Sequence, residues 1–188
     1  MKQKLYVFGF DNTLVNGEDL IVEITAKTFN INLTKDFWYK NLHSVADPAT
    51  ETRILEETFG VKYTPELQQK VGKEFIERLC KTEPSEAVFK LFKENIAQSY
   101  ILTGCPAFIV QKYLQLRGIE FPEKNIYGGV YNGSGKKEEL LAEFQKKNDV
   151  IYIDDDAGLI SNASKIVSEA ILVKQEYNKD SWDKFKTI

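Results

Sequence analysis

Short apolar, β-branched runs that alternate with segments of helical spacing predict an α/β protein, with a Rossmann-like, mainly parallel sheet covered by helices on both faces. A second observation adds a small all-helical insertion. Between the first such run and residue 84, apolar residues recur only at helical spacing, through several segments with no strand among them. Residues 1–15 and 84–188 are thus expected to form one α/β core, and residues 16–83 a separate helical unit. A chain of 188 residues with 43% hydrophobic and 28% charged side chains can bury such a core with one appendage, and is too apolar for a disordered chain.

The first strand is placed at residues 5–10, an aromatic and β-branched run that ends in Asp11-Asn12, a turn-forming pair. Helical spacing follows in Leu20, Ile24 and Phe29, then Ile54, Leu55 and Phe59, then Leu67, Val71, Phe75, Ile76 and Leu79. Pro65 suits the first turn of the last of these helices, with Thr64 as its N-cap, and Pro84-Ser85 closes the insertion. Beyond it the pattern predicts helices over 86–93, 107–116, 137–146 and 159–166, and strands over 99–103, 126–131, 150–154 and 170–173. The polar tail 174–188 carries Trp182 and Phe185 and is expected to add a final packed helix.

Several function classes are disfavoured. A net charge of -3 gives no whole-molecule attraction to nucleic acid or to anionic membranes, and neither is expected as a partner. No apolar run approaches the roughly 20 residues of a bilayer-spanning helix, and the start lacks a long uncharged stretch, so a cytoplasmic protein is expected, as a monomer or weak homodimer. Cys80 and Cys105 are far apart, without a CxxC spacing, and suggest neither a disulfide framework nor a zinc cluster. The single histidine, His43, has no motif around it and reads as a structural or surface residue. The run Phe37-Trp38-Tyr39 reads as core between helices more than as a stacking platform.

Ligands of such sheets collect at the carboxyl ends of the strands, which draws attention to residues 9–13, 103–105 and 154–156. These supply Asp11, a Thr103-Gly104 pair and three consecutive acids, with Lys136 and Lys137 opening the helix between. Hydroxyl, amide and ammonium donors suit phosphoryl oxygens, and carboxylates are tolerated beside them when a hard cation intervenes. The run Gly133-Ser134-Gly135-Lys136 is no phosphate loop, because the glycine five residues before Gly135 is missing and Lys137 replaces the hydroxyl residue. A phospho-receiver domain would carry its paired acids early in the chain, and here they come last.

The sequence resembles the haloacid dehalogenase-like (HAD) hydrolase superfamily, of the phosphatase type with a helical cap. The resemblance runs through Phe8-Gly9-Phe10-Asp11-Asn12-Thr13-Leu14, Ile101-Leu102-Thr103-Gly104, Lys137 and Ile153-Asp154-Asp155-Asp156, and covers essentially the whole chain. It implies a HAD-like core with residues 16–83 as the cap. It also implies magnesium-dependent hydrolysis of a small phosphorylated metabolite through an aspartyl-phosphate. In phosphatases of the family the first motif is an apolar strand followed by Asp-x-Asp-x-Thr-Leu, whose first Asp attacks phosphorus and whose second is the general acid and base. Here the second is Asp11, and Gly9 stands at the nucleophile position.

By the same resemblance Thr103, with the amides of Gly104 and Cys105, and Lys137 bind the phosphoryl group, with Asn12 beside them. Lys137 is preferred to Lys136 because Leu140 and Leu141 then follow at helix-facing spacing. Asp155 and, through its backbone carbonyl, Asp11 are the implied magnesium ligands. Asp156 is a substitute for a further acid that the family carries where this chain has Leu159. A rival register makes Asp11 itself the nucleophile, but moves it two residues beyond the usual strand end.

Glycine cannot form a phosphoaspartyl intermediate, so the chain is expected to be impaired or inactive. If Gly9 is an isolated change, Gly9→Asp would restore activity. If it is natural divergence, the chain is a non-catalytic protein that binds a phosphorylated ligand or a partner.

Overall fold

A computed structural model describes residues 2–188. Six strands form one parallel sheet: β1 (Gln3–Phe8), β2 (Ser99–Leu102), β3 (Ile126–Tyr127), β4 (Asn148–Asp154), β5 (Glu169–Leu172) and β6 (Lys186–Thr187), in the order β3-β2-β1-β4-β5-β6. The eight α-helices are α1 (Glu18–Phe29), α2 (Lys35–Asn41), α3 (Pro48–Phe59), α4 (Pro65–Leu79), α5 (Glu86–Glu94), α6 (Ala107–Gln115), α7 (Lys136–Lys147) and α8 (Ala157–Ala163).

Period-two alternation in a sheet buried on both sides explains why the strands read as continuous apolar runs. Val7 packs with Leu102, Val150 and Tyr152 on one face, and Phe8 packs with Ile101, Ile151 and Ile153 on the other. Both Val7 and Phe8 are fully buried, which stabilises the fold by about 2 kcal/mol per side chain. Among the described residues no helix is long and apolar enough to cross a membrane.

Helices α1 to α3 gather around their own cluster of Val22, Leu33, Trp38, Leu42 and Leu55, whereas Phe75, Ile76 and Leu79 of α4 join the cluster of the sheet. Thr64 caps α4 by accepting from the Leu67 amide, with Pro65 in the first turn. The two ends of this helical segment meet. Ser85 N donates to Leu14 O at 2.9 Å, and Val15 bridges both Asp11 and Pro84. Both ends of the segment thus join the core beside the end of β1.

Several element boundaries differ from the sequence expectation, among them α8, expected over 159–166 and found over Ala157–Ala163, and three differences have a local reason. β1 stops at Phe8 because the Phe10 carbonyl accepts amides from Thr13, Leu14 and Val15, which turns the chain with Asn12 at a left-handed φ of 54°. β3 stops at Tyr127 because Gly128 and Gly129 follow. A Cβ on Gly128 would lie 2.4 Å from the Ala107 nitrogen, and Gly129 has φ 72°. The tail forms a 3₁₀ helix, Glu176–Lys184, and then an edge strand beside β5 in place of an α-helix.

Candidate functional site

The sheet order changes direction between β1 and β4, and the crevice outside their carboxyl ends is where such sheets take ligands. Gly9 leaves β1 with its amide on Ile153 O at 2.8 Å, which sets it beside Asp154, the last residue of β4. The Asp154 carboxylate lies over Gly9. Its Oδ2 accepts from Lys137 Nζ at 3.1 Å and from the Tyr152 hydroxyl at 2.6 Å, and its Oδ1 accepts from the Asp156 amide at 3.0 Å. A Cβ on Gly9 would stand 2.7 Å from Asp154 Oδ2 and 2.7 Å from Thr13 Oγ1, closer than real side chains approach. A side chain there would require these two side-chain ends, both held by hydrogen bonds, to shift.

Asp11 and Asp155 face the same crevice. Asp11 Oδ1 is buried without a hydrogen-bond partner. Burial first, then repulsion from Glu18 and Asp155, pushes the Asp11 carboxyl up to about 7. Asp155 is raised by burial and then by Asp154. Its Oδ1 accepts from the Thr13 hydroxyl at 2.8 Å and its Oδ2 from the Tyr177 hydroxyl.

On β2's side, Thr103 Oγ1 accepts from the Cys105 amide at 3.0 Å, a turn that brings Thr103, Gly104 and Cys105 to the crevice wall. Burial raises the Cys105 thiol well above its ordinary value. Lys137, in the first turn of α7, is buried on the same wall, whereas Lys136 is exposed.

A cavity of about 380 Å³ joins Gly9, Asp11, Thr103, Gly104, Cys105, Lys137 and Asp155 to the inner surface of the helical segment. Two residues singled out from the sequence are not on its wall. The Asn12 amide donates to Glu18 at 3.1 Å, Tyr177 at 3.3 Å and Tyr39 at 3.4 Å. Asp156 is the N-cap of α8: its Oδ1 accepts from the Gly158 and Leu159 amides, and its Oδ2 from Ser44 at 2.7 Å and Asn132 at 3.2 Å. Burial opposes ionisation of Asp156, but His43, the Ser44 hydroxyl and the Leu159 amide outweigh it and lower the carboxyl.

Other residues enter the site without any sequence motif. His43 is not a surface residue. Its Nδ1 lies 2.8 Å from Glu18, and its Nε2, with no hydrogen-bond partner, lies 3.7 Å from both Asp155 and Asp156. Burial alone would lower this histidine, but the surrounding carboxylates, Glu18 foremost, bring it up to about 10. Tyr177 of the tail stacks on Tyr39 of α2 with ring centroids 3.9 Å apart, so the tail, the helical segment and Asp155 meet at one point. Trp38 belongs to the core of the helical segment and also lines the cavity.

No family model matches the chain, and no curated protein matches it in sequence. Its similarity is to solved structures. A putative haloacid dehalogenase-like hydrolase from Bacteroides fragilis superposes with a TM-score of 0.68 at 16% identity, covering 100% of this chain and 95% of that one. A variant of CbbY from Rhodobacter sphaeroides, in complex with xylulose-(1,5)bisphosphate, gives a TM-score of 0.75 at 13% identity, covering 100% and 94%. The HAD-hydrolase YfnB from Bacillus subtilis, bound to magnesium, gives a TM-score of 0.57 at 15% identity, covering 92% and 88%.

Proposed function

We propose that this chain, which has the fold of the haloacid dehalogenase-like hydrolases, captures a small phosphorylated ligand and forms no aspartyl-phosphate at position 9. The observation that carries the reading is the Asp154 carboxylate over Gly9, where a Cβ would stand 2.7 Å from it. A side chain at position 9 needs the hydrogen-bonded Asp154 and Thr13 ends to shift, which is the ground for reading Gly9 as natural divergence and not as an isolated change. Asp154 is a poor replacement nucleophile, because both its oxygens are engaged by Lys137, Tyr152 and the Asp156 amide.

The remaining groups suit phosphoryl binding. The Thr103 hydroxyl, the Gly104 and Cys105 amides and Lys137 would hold the phosphoryl oxygens. An ammonium has three donors, and Asp154 uses one, which leaves two for a ligand. Asp11, raised to about 7, keeps the proton-transfer character of a general acid and base. Residues 16–83 act as a cap that encloses the ligand and selects its organic part.

Magnesium would bind this site only weakly, since among the described residues no three His, Cys, Asp or Glu side chains are grouped to hold a metal ion. The buried, unpartnered Asp11 Oδ1 and the repulsion between Asp11 and Asp155 mark negative charge left without a counter-ion. Asp155 and the Asp11 backbone carbonyl would hold the ion, which leaves the Asp11 carboxyl to carry its proton. Asp156 is committed to α8, and Gly9 offers no carboxylate. The chemistry supplied by a bound ion is neutralisation of charge between these acids and the phosphoryl oxygens. Calorimetric titration with inorganic phosphate, on the native chain and on Lys137→Ala, tests the reading. Binding in the native chain and a loss of about tenfold or more in the variant are expected. Equal binding by both would remove the phosphoryl site from this crevice.

A further inference from the structure

The carboxylates on the cavity wall are not equally provided for. Asp154 is paired with Lys137, Asp155 accepts hydroxyls from Thr13 and Tyr177, and Glu18 holds His43 and Asn12. Glu51, in the first turn of α3, lines the cavity from the helical side, and among the described residues its carboxylate has no hydrogen bond or ion pair. The cations on the wall are Lys137 and His43, and each already faces a carboxylate.

An acid in the first turn of a helix ordinarily faces water and is favoured by the helix dipole, which keeps it readily ionised. Glu51 departs from that pattern. Burial first, then Glu18, pushes it up to about 7. The cavity wall it shares includes Trp38, Leu42, Val45 and Pro48, and the Tyr63 and Tyr131 phenols lie within range of its charge. Three further residues of the wall carry a buried polar atom without a partner: Asp11 at Oδ1, Trp38, itself 4% exposed, at its indole nitrogen, and His43 at Nε2. Glu51 is half-buried on the cavity wall with no counter-ion, a group that a cationic ligand would complement.

Resting on the phosphoryl-binding reading above, we infer that the phosphorylated ligand carries a protonated amine in its organic part, paired with Glu51 at the helical end of the cavity. A second phosphate or a carboxylate at that end would meet Glu51 and Glu18 with no unpaired cation to receive it, so bisphosphates and phosphorylated acids are disfavoured. A cavity of about 380 Å³ suits a small amino-alcohol phosphate better than a nucleotide.

The test is calorimetric titration at mildly alkaline pH, where Glu51 is ionised, of the native chain and of Glu51→Gln. The probes are inorganic phosphate, O-phosphoethanolamine and the neutral-tailed propyl phosphate. The native chain is expected to bind phosphoethanolamine at least about tenfold more tightly than propyl phosphate. In Glu51→Gln that ratio should fall to about one while inorganic phosphate still binds. Propyl phosphate binding as well as phosphoethanolamine in the native chain, or an unchanged preference in Glu51→Gln, would overturn the inference and leave the phosphoryl site standing. Failure of all three probes to bind the native chain would overturn the phosphoryl-binding reading, and the inference with it.

Discussion

The Asp154 carboxylate occupies the space into which a side chain on Gly9 would grow, with Oδ2 only 2.7 Å from the Cβ position. Two adjacent strands thus share one carboxylate at the place where the family resemblance expects a nucleophile on the other strand. Asp154 is held there by Lys137 and Tyr152, so neither change at these two positions is independent of the other.

Gly9→Asp alone should therefore be destabilising and fail to give an active phosphatase, contrary to the expectation for an isolated change. Overpacking and the approach of two carboxylates should lower the melting temperature by roughly 3–10 °C. Asp154→Ala alone leaves Lys137 buried without its counter-ion, also at a cost. Combined, the two substitutions should be less destabilising than their sum by about 1 kcal/mol or more, since an aspartate at position 9 then has both room and a lysine. Thermal denaturation of the four proteins measures this. Strict additivity would show that the two sites do not share that space.

How far the sequence speaks for this arrangement varies with the type of signal. The alternation of strands and helices was legible because period-two and helical patterns are local, and the placement of three acids at the end of β4 followed from it. Lys137, chosen over Lys136 by helix-facing spacing, lies on the crevice wall. His43, Glu51 and Tyr177 were not legible. Their positions depend on contacts such as Asn12 with Tyr177, 165 residues apart, and a lone side chain carries no mark of them. Asp156 read as a metal acid, yet an Asp directly before a helix is also an N-cap signal, and that competing reading describes its contacts. The edge strand β6 is two residues long and flanked by polar chain, too short for any periodicity to register.

The protonation of Glu51 gives a stability effect of definite sign. Its folded carboxyl is raised from 4.5 to about 7, so the folded state holds more protons than the unfolded state between those values. Its burial penalty is absent below the lower value and grows as pH rises through the higher one. Glu51→Gln should therefore raise the melting temperature by about 3 °C or more above the raised value, with little change in mildly acidic buffer. Melting curves across that range test it. A stabilisation confined to acid would contradict the assigned direction.

Asp155 and Tyr177 make opposite predictions for magnesium. Millimolar magnesium should raise the melting temperature of the native chain by roughly 1–2 °C, the mark of a weak site. Asp155→Ala should abolish that rise. Tyr177→Phe removes a hydroxyl that occupies Asp155 Oδ2 and should enlarge it. Equal shifts in all three proteins would place the ion elsewhere.

The central claim is that this chain binds a phosphate ester without forming an aspartyl-phosphate. The most direct measurement combines phosphate release with mass spectrometry of the intact protein, after incubation with magnesium and either an aryl phosphate or O-phosphoethanolamine. The account predicts no release above the protein-free background and no phosphorylated chain, in a protein that calorimetry shows to bind phosphate. Sustained release that is lost in Asp11→Asn, with phosphate trapped on Asp11, would contradict it and make Asp11 the nucleophile.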